Sequence, residues 1–311
     1  MSQQSLPQRT HTYQNHILDS THWDDYLPRD NDIVISTSVK SGTTWMQQIV
    51  LQLIFLGQPV PKVTDVSPWI DARVRPIADK MAMLNAQTHQ RFMKSHLPLD
   101  GLPYFPQLRY IVVARDPRDV FMSFWNHYSN HADSLFDRVN DSPGRVGPPL
   151  PRPPKDIHAC YRDWISRGWF DWEQEGYPYW GNMSHTQSWW NYRDLENVLL
   201  VHFNDLLATP TVEISRVATF LGMSVSDREV GHVAEITSFS SMKKNADEMS
   251  PSAQPEALWK GGAKTFFFKG TNGRWRDVLT DKELAMYETT KSKVLTPDCA
   301  RWLEQGRMAL S

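Results

Sequence analysis

The sequence predicts an α/β domain built on a mostly parallel central sheet. Three observations carry that prediction. Short apolar runs of strand length recur along the chain, a tight polar loop follows each, and a stretch with helical apolar spacing comes next. Strands alternating with helices in this way imply a sheet covered on both faces, and one elaborated domain, 1–311, is the better count for 311 residues.

The first unit begins with Ile33-Val34-Ile35, a buried-strand run. The loop Ser38–Thr44 comes after it, then Trp45, Met46, Ile49, Val50, Leu53 and Ile54 at helical spacing, closed by Gly57. A second strand is expected over Arg91–His96, stopped by Leu97-Pro98 because proline cannot continue a central strand. The third, Arg109–Ala114, meets Arg115-Asp116-Pro117. Asp116 suits an N-cap and Pro117 a first helical residue, so a helix is expected from about Arg118 to His127. A fourth strand, Asn197–His202, precedes Asn204-Asp205 and a helix over Val212–Leu221 capped by Gly222. The proline-dense stretch 143–154 can form neither helix nor paired strand and reads as a surface loop.

Composition narrows the function. Lys and Arg number 33 against 35 Asp and Glu, a net charge of −2 that argues against a basic nucleic-acid coat. No apolar run approaches the ~18 residues a membrane span needs. The polar N-terminus carries no signal-sequence pattern. Cys160 and Cys299 fit no metal or disulfide spacing, so a reducing, cytoplasmic setting is expected, with no nucleic-acid or membrane partner.

Four groups of residues carry chemistry. A strand, a loop and a helix start aim free backbone N–H groups and the positive end of the helix dipole at one point. In Lys40-Ser41-Gly42-Thr43-Thr44, Gly42 permits close approach, three hydroxyls add donors and Lys40 adds charge. The lysine precedes the glycine, which departs from the GxxxxGK[ST] order of nucleotide kinases and weakens that reading. Lys94 and His96 leave one face of a strand end, where the histidine can take a proton and the lysine can hold negative charge. Arg115 and Ser123 can grip a phosphate together. The Gly- and cation-rich stretch within about 250–277, with Lys269-Gly270, suggests a segment that closes over an anionic ligand.

Taken together, Lys40–Trp45, Lys94-Ser95-His96-Leu97-Pro98-Leu99, Arg115 with Ser123, Thr237-Ser238-Phe239 and Lys269-Gly270 resemble the cytosolic-type sulfotransferases over residues 33–276. The resemblance implies a single domain of P-loop-kinase-like topology. It also implies 3′-phosphoadenosine 5′-phosphosulfate (PAPS) as sulfuryl donor, leaving PAP. On that resemblance, Lys40, Ser41, Gly42, Thr43 and Thr44 cradle the 5′-phosphosulfate and Trp45 stacks on adenine. Arg115, Ser123, Lys269 and Gly270 hold the 3′-phosphate, while Thr237 and Phe239 line the adenine pocket. Lys94 contacts the transferring group, and His96 is the base that deprotonates a hydroxyl or amine. No metal cluster is visible, so transfer through fixed cations and N–H groups without a metal is expected. A nucleotide kinase, or a non-catalytic nucleotide-binding module using the Pro-rich loop as a ligand, are the competing readings.

The chain departs from the family at four places. Val39 replaces a proline, and Phe203 stands where a tyrosine is usual near the adenine. Phe268 stands where an arginine grips the 3′-phosphate, so that grip is either missing or supplied by another cation such as Lys264. Of the family's dimer motif (K-x3-T-V-x3-E), Arg276 and Thr280 fit while Asp281 and Ala285 do not, so a monomer or weak homodimer is expected. The acceptor is expected to be a small molecule. The aromatics of 161–192, among them Trp164, Trp169, Phe170, Trp172, Tyr177, Tyr179 and Trp180, either pack the core or wall an apolar pocket. In the second case, joined by Phe136 and Tyr161, they favour a hydrophobic or ring-bearing alcohol.

Overall fold

The computed structural model describes residues 5–307; the ends of the expected 1–311 domain, 1–4 and 308–311, lie outside the described residues. Four strands, β1 (Ile33–Thr37), β2 (Phe92–Ser95), β3 (Arg109–Ala114) and β4 (Val198–His202), form one sheet in the order β2-β1-β3-β4, every pair parallel. Side chains alternate between two cores. Val34, Met93, Tyr110 and Val112 pack on one face, and Ile35, Phe92, Ile111 and Val113 on the other. Burial on both faces explains why these strands read as continuous apolar runs rather than as an alternating pattern.

The helices follow their local signals. Gly42 precedes the Thr43–Ile54 helix, which stops short of Gly57, a residue in the left-handed region. The Pro117–Ser129 helix has Pro117 in its first turn and Asp116 as N-cap, its carboxylate accepting from the Arg118 N–H at 2.9 Å. The structure corrects the stretch after β4. Asn204-Asp205 belong to a short helix, Phe203–Ala208, because His202 Nδ1 accepts the Asn204 N–H at 3.1 Å and caps it. The longer helix then begins at Pro210 and runs to Phe220. Residues 143–154 form neither helix nor strand.

Register brings the carboxyl ends of the strands level: Ser36 lies beside Ser95, Thr37 beside Val113, and Ala114 beside His202. The connection from β1 leaves toward β2 on one side and that from β3 toward β4 on the other, which opens a crevice above the ends of β1 and β3. The opposite end is closed by the buried ion pair of Arg91 with Asp32. Among the described residues no helix is long and apolar enough to cross a membrane.

Candidate active site

A cavity of about 520 Å³ lies above the carboxyl ends of β1, β2 and β3. Of the residues singled out from sequence, Lys40, Gly42, Thr43, Thr44 and Trp45 line it from the first loop, and Lys94 and His96 from the end of β2. Arg115, Ser123, Phe203, Phe239, Phe268, Lys269 and Gly270 complete that set. Two do not reach it. Ser41 is fully buried with its hydroxyl 2.6 Å from Ser38 Oγ and facing Asn182, so it is spent inside the protein. Thr237 donates its hydroxyl to the Val233 carbonyl at 2.7 Å.

The first loop is shaped for an anion. Gly42 has φ 118°, and a Cβ there would come within 3.1 Å of the Phe203 ring. No side chain caps the Thr43–Ile54 helix, leaving its first N–H groups without a side-chain acceptor. Lys40, itself at φ 63°, carries its Nζ 4.0 Å from the Phe266 ring centroid. Burial pushes the Lys40 ammonium down to about 7, with Arg115 and Lys94 adding to the shift. Lys94 is pushed down to about 8 by burial, Asp71 opposing. Arg115 is lowered to about 10 by burial, with Asp119 pulling it up and Arg274 down. Gathering like charges in an enclosed space is unfavourable on its own, and an anion in their midst reverses the sign.

His96 is held by β1. Its Nδ1 donates to the Thr37 carbonyl at 2.7 Å, and its backbone N–H donates to Asp71 Oδ2 at 3.1 Å. A carbonyl only accepts, so the proton stays on Nδ1 and Nε2 carries the lone pair. Burial, with the charge of Lys94, lowers this imidazole to about 3, so it is neutral around pH 7. Trp69 and Trp180 flank its ring with centroids at 4.7 and 5.4 Å. Thr37 joins the loop to the histidine, its Oγ1 lying 2.5 Å from Thr43 Oγ1 and 3.2 Å from His96 Nδ1.

The closing segment docks through Arg115, Asp119 and Asn204. Gly270, at φ 67°, abuts the Phe239 ring so closely that a Cβ would fall 2.5 Å from it. Phe203 lies 4.1 Å below the Arg115 guanidinium and edge-on to Trp45 at 5.3 Å, so it acts as a platform between them. Lys264 is exposed and away from the cavity; the cation beside Arg115 is Arg274, which lies over the Phe268 ring at 5.3 Å.

Most of the aromatic-rich stretch is packing. Trp164 and Tyr161 are wholly buried in the core, and Phe136 is buried there too. Trp169, Phe170, Trp172 and Tyr177 do not line the cavity; only Tyr179 and Trp180 of the stretch do. Sequence reasoning missed Trp69, Asp71 and His127, and placed Arg274 only within the cation-rich closing stretch. Of these, His127 had a usable signal, since it follows Ser123 by four residues on one helix and so shares its face. Among the described residues no group of three or more His, Cys, Asp or Glu is placed to hold a metal ion.

Comparison with known proteins adds to this geometry. The sulfotransferase domain pattern matches residues 30–295. The glycolipid sulfotransferase of Mycobacterium tuberculosis (strain ATCC 25177 / H37Ra) is 32% identical over 312 residues, covering 95% of this chain and 94% of that protein. Sulfotransferase 1A1 of Rattus norvegicus is 27% identical over 287 residues, 90% and 87% of the two chains. Among solved structures, mouse sulfotransferase SULT7A1 complexed with PAP shares the fold with a TM-score of 0.67 at 21% identity, covering 91% of this chain and 92% of its own. Retinol dehydratase in a complex with retinol and PAP gives 0.65 at 20%, covering 89% and 84%.

Proposed function

The chain belongs to the sulfotransferase domain family, and from that premise we propose that it transfers the sulfuryl group of PAPS to a hydroxyl or amine of a small, apolar or ring-bearing acceptor, with His96 as general base. One observation carries the reading. Lys40, Lys94 and Arg115, an uncapped helix N-terminus and a neutral histidine with a free Nε2 all face one cavity.

The residues fit the donor. Lys40 and Lys94 have no carboxylate partner within salt-bridge distance among the described residues, so their charge is available to a bound phosphosulfate. When bound, PAPS supplies an activated sulfuryl group on a phosphate leaving group. The first-turn N–H groups with the Thr43 and Thr44 hydroxyls would hold its 5′ end, and Lys40 would offset charge on the bridging oxygen. Ser41 would contribute through its backbone only, since its hydroxyl is engaged. Trp45, Phe203 and Phe239 would sandwich the adenine. Arg115, Ser123, Lys269 and Gly270 would bind the 3′-phosphate, and Lys94 would hold the sulfuryl oxygens. His96 Nε2 would take the acceptor's proton while the Thr37 carbonyl steadies the imidazolium through Nδ1–H.

The acceptor side is apolar. Ile17, Trp69, Leu135, Val139, Tyr179 and Trp180 line it, which suits a hydrophobic or ring-bearing molecule better than a free sugar. The names of the relatives, a glycolipid sulfotransferase and a retinol-bound enzyme, point the same way. The unpaired buried cysteines fit a reducing cytoplasm. Asp281 and Ala285, where the family's dimer motif has valine and glutamate, lie in the Asp281–Val294 helix and favour a monomer or weak homodimer over the family's dimer contact.

The test is transfer from radiolabelled PAPS to phenols, steroids, aliphatic alcohols, amines and sugars, with calorimetry of PAP and ATP binding. His96→Ala should lose ~10²–10⁴ in kcat with PAP affinity intact. Retained turnover in that variant would remove His96 as base, and tight ATP binding with none for PAP would overturn the donor assignment.

A further inference from the structure

The helix face that brings Ser123 to the cavity brings His127 one turn later. Beyond that helix the chain is pinned to the closing segment. The Ala132 N–H donates to the Leu258 carbonyl at 3.0 Å, and the Lys260 N–H to the Asn130 carbonyl at 2.9 Å. This clamp holds Trp259, buried, with its indole N–H 3.1 Å from His127 Nδ1. An indole N–H can only donate, so Nδ1 of His127 is the acceptor and its proton resides on Nε2.

His96 is fixed the opposite way, with its proton on Nδ1 and its lone pair on Nε2. The cavity therefore contains two imidazoles in complementary tautomers, one presenting an acceptor and the other a donor. Burial, with Lys40, His131, His96 and Lys94 nearby, keeps His127 well below the usual histidine range and hence neutral. The neighbouring His131 is committed elsewhere: its Nε2 pairs with the Tyr179 hydroxyl at 2.8 Å.

Complementary tautomers suit one kind of nucleophile. An alcohol oxygen has one proton and two lone pairs. As the O–S bond forms with one lone pair, the S–O bond to the donor phosphate breaks and its electron pair leaves on the phosphate oxygen. The O–H proton passes to His96 Nε2, and the second lone pair is free to accept from His127 Nε2–H. A neutral amine has a single lone pair, which the N–S bond consumes, so the His127 donor is left unpaired in an enclosed site. A protonated amine has no lone pair and would enter among Lys40 and Lys94.

We propose that His127 orients the acceptor by donating its Nε2–H to the attacking oxygen, and that it thereby makes the site select hydroxyl over amine acceptors. The proposal rests on the sulfuryl-transfer reading and deepens it. A site built to pair a substrate oxygen rejects the analogue that cannot pair, here by roughly 10- to 100-fold.

The experiment uses 2-naphthol and 2-naphthylamine, a matched pair whose amine is neutral at pH 7, with wild type, His127→Phe and His127→Gln. Calorimetry on PAP-saturated protein reads acceptor binding without turnover, and kcat/KM with PAPS reads transfer. Nitrogen-15 NMR of the imidazoles reads the tautomers. Expected are His127 protonated on Nε2 and His96 on Nδ1, and a wild-type preference for the naphthol in kcat/KM that exceeds any difference in binding, because the unreacted amine still has its lone pair. His127→Phe should erase that preference with unchanged PAP affinity, and His127→Gln should keep part of it through its amide N–H. A His127 protonated on Nδ1, or a His127→Phe variant that lowers both acceptors equally or neither, overturns the proposal while leaving sulfuryl transfer standing. Absence of PAP binding and of transfer to either acceptor in the wild type sinks both readings together.

Discussion

Asn272 Oδ1 lies 2.6 Å from Nη2 and 3.0 Å from Nε of Arg115, tying the end of β3 to a loop far along the chain. The Thr271 carbonyl adds a contact to Nη2 at 3.2 Å. Asn272 Nδ2 in turn donates to Asn204 Oδ1 at 2.6 Å, and the Gly273 N–H donates to Asp119 Oδ1 at 2.7 Å. A neutral amide oxygen fixes the guanidinium without neutralising it, so Arg115 is both positioned and still charged.

Two substitutions separate those two effects. Asn272→Ala should weaken PAP binding by ~10-fold, because Arg115 loses its orientation. Asn272→Asp should weaken it further, because a carboxylate would pair with Arg115 and compete with the anion. Calorimetric titration of PAP checks the order, and equal affinities for the aspartate variant and the wild type would dismiss the clasp.

Asp71 is expected to act through its neighbours. Its carboxylate receives the His96 N–H at 3.1 Å, the Trp69 indole N–H at 2.7 Å and the Trp23 indole N–H at 3.3 Å, and its charge supports protonated Lys94. Asp71→Asn removes that charge and leaves one acceptor for three donors. The expected result is a kcat lowered by ~10- to 100-fold, together with a basic limb of the pH–rate profile displaced toward lower pH as Lys94 loses its counter-charge. A purely structural role would lower activity without moving that limb.

The lysines set the pH dependence of donor binding. Lys40 at about 7 and Lys94 at about 8 are protonated in acid and shed their protons as pH rises. A bound anion favours the charged forms, so the complex holds more protons than the free protein and binding takes protons up. PAP affinity should therefore fall between about pH 7 and 9, and calorimetry in buffers of different ionisation enthalpy should read net proton uptake near pH 8. His96, at about 3, contributes no titration in that window. Lys40→Met should abolish part of the uptake, and its persistence unchanged would rule Lys40 out as a titrating group.

The sheet and the ends of its strands were legible because their signals are local. Ile33–Ile35 and Tyr110–Ala114 are apolar throughout since both faces are buried, and Asp116-Pro117 carries its own start instruction. What depended on distant contacts was not legible. The Ser41 hydroxyl is turned inward by Asn182, remote in sequence, and nothing in Lys40–Thr44 records that. Trp164 and Tyr179 look alike in sequence, yet only the second reaches the cavity. Phe203, at the end of β4, was visible as a departure from the family, but its use as a platform under Arg115 was not.

Arg274, which we propose takes the place of the arginine absent at Phe268, stood in the closing stretch without an assigned role, because a loop of glycines does not announce where it folds back. Lys264 lies on the surface, whereas Arg274 lines the cavity, stacks on Phe268 and lowers the pKa of Arg115 by its charge. Its Nε is buried without a partner. A buried guanidinium N–H without a partner, on a cation whose charge acts on Arg115, suits an anion, and the 3′-phosphate is the group the donor would place there. Arg274→Ala should weaken PAP by ~10- to 100-fold, the worth of one or two charge-assisted hydrogen bonds, while leaving 5′-AMP, which lacks that phosphate, unchanged. Lys264→Ala should alter neither. An Arg274→Ala variant that binds PAP as the wild type does, or that loses both nucleotides equally, would return the 3′-phosphate to Arg115 and Ser123 alone.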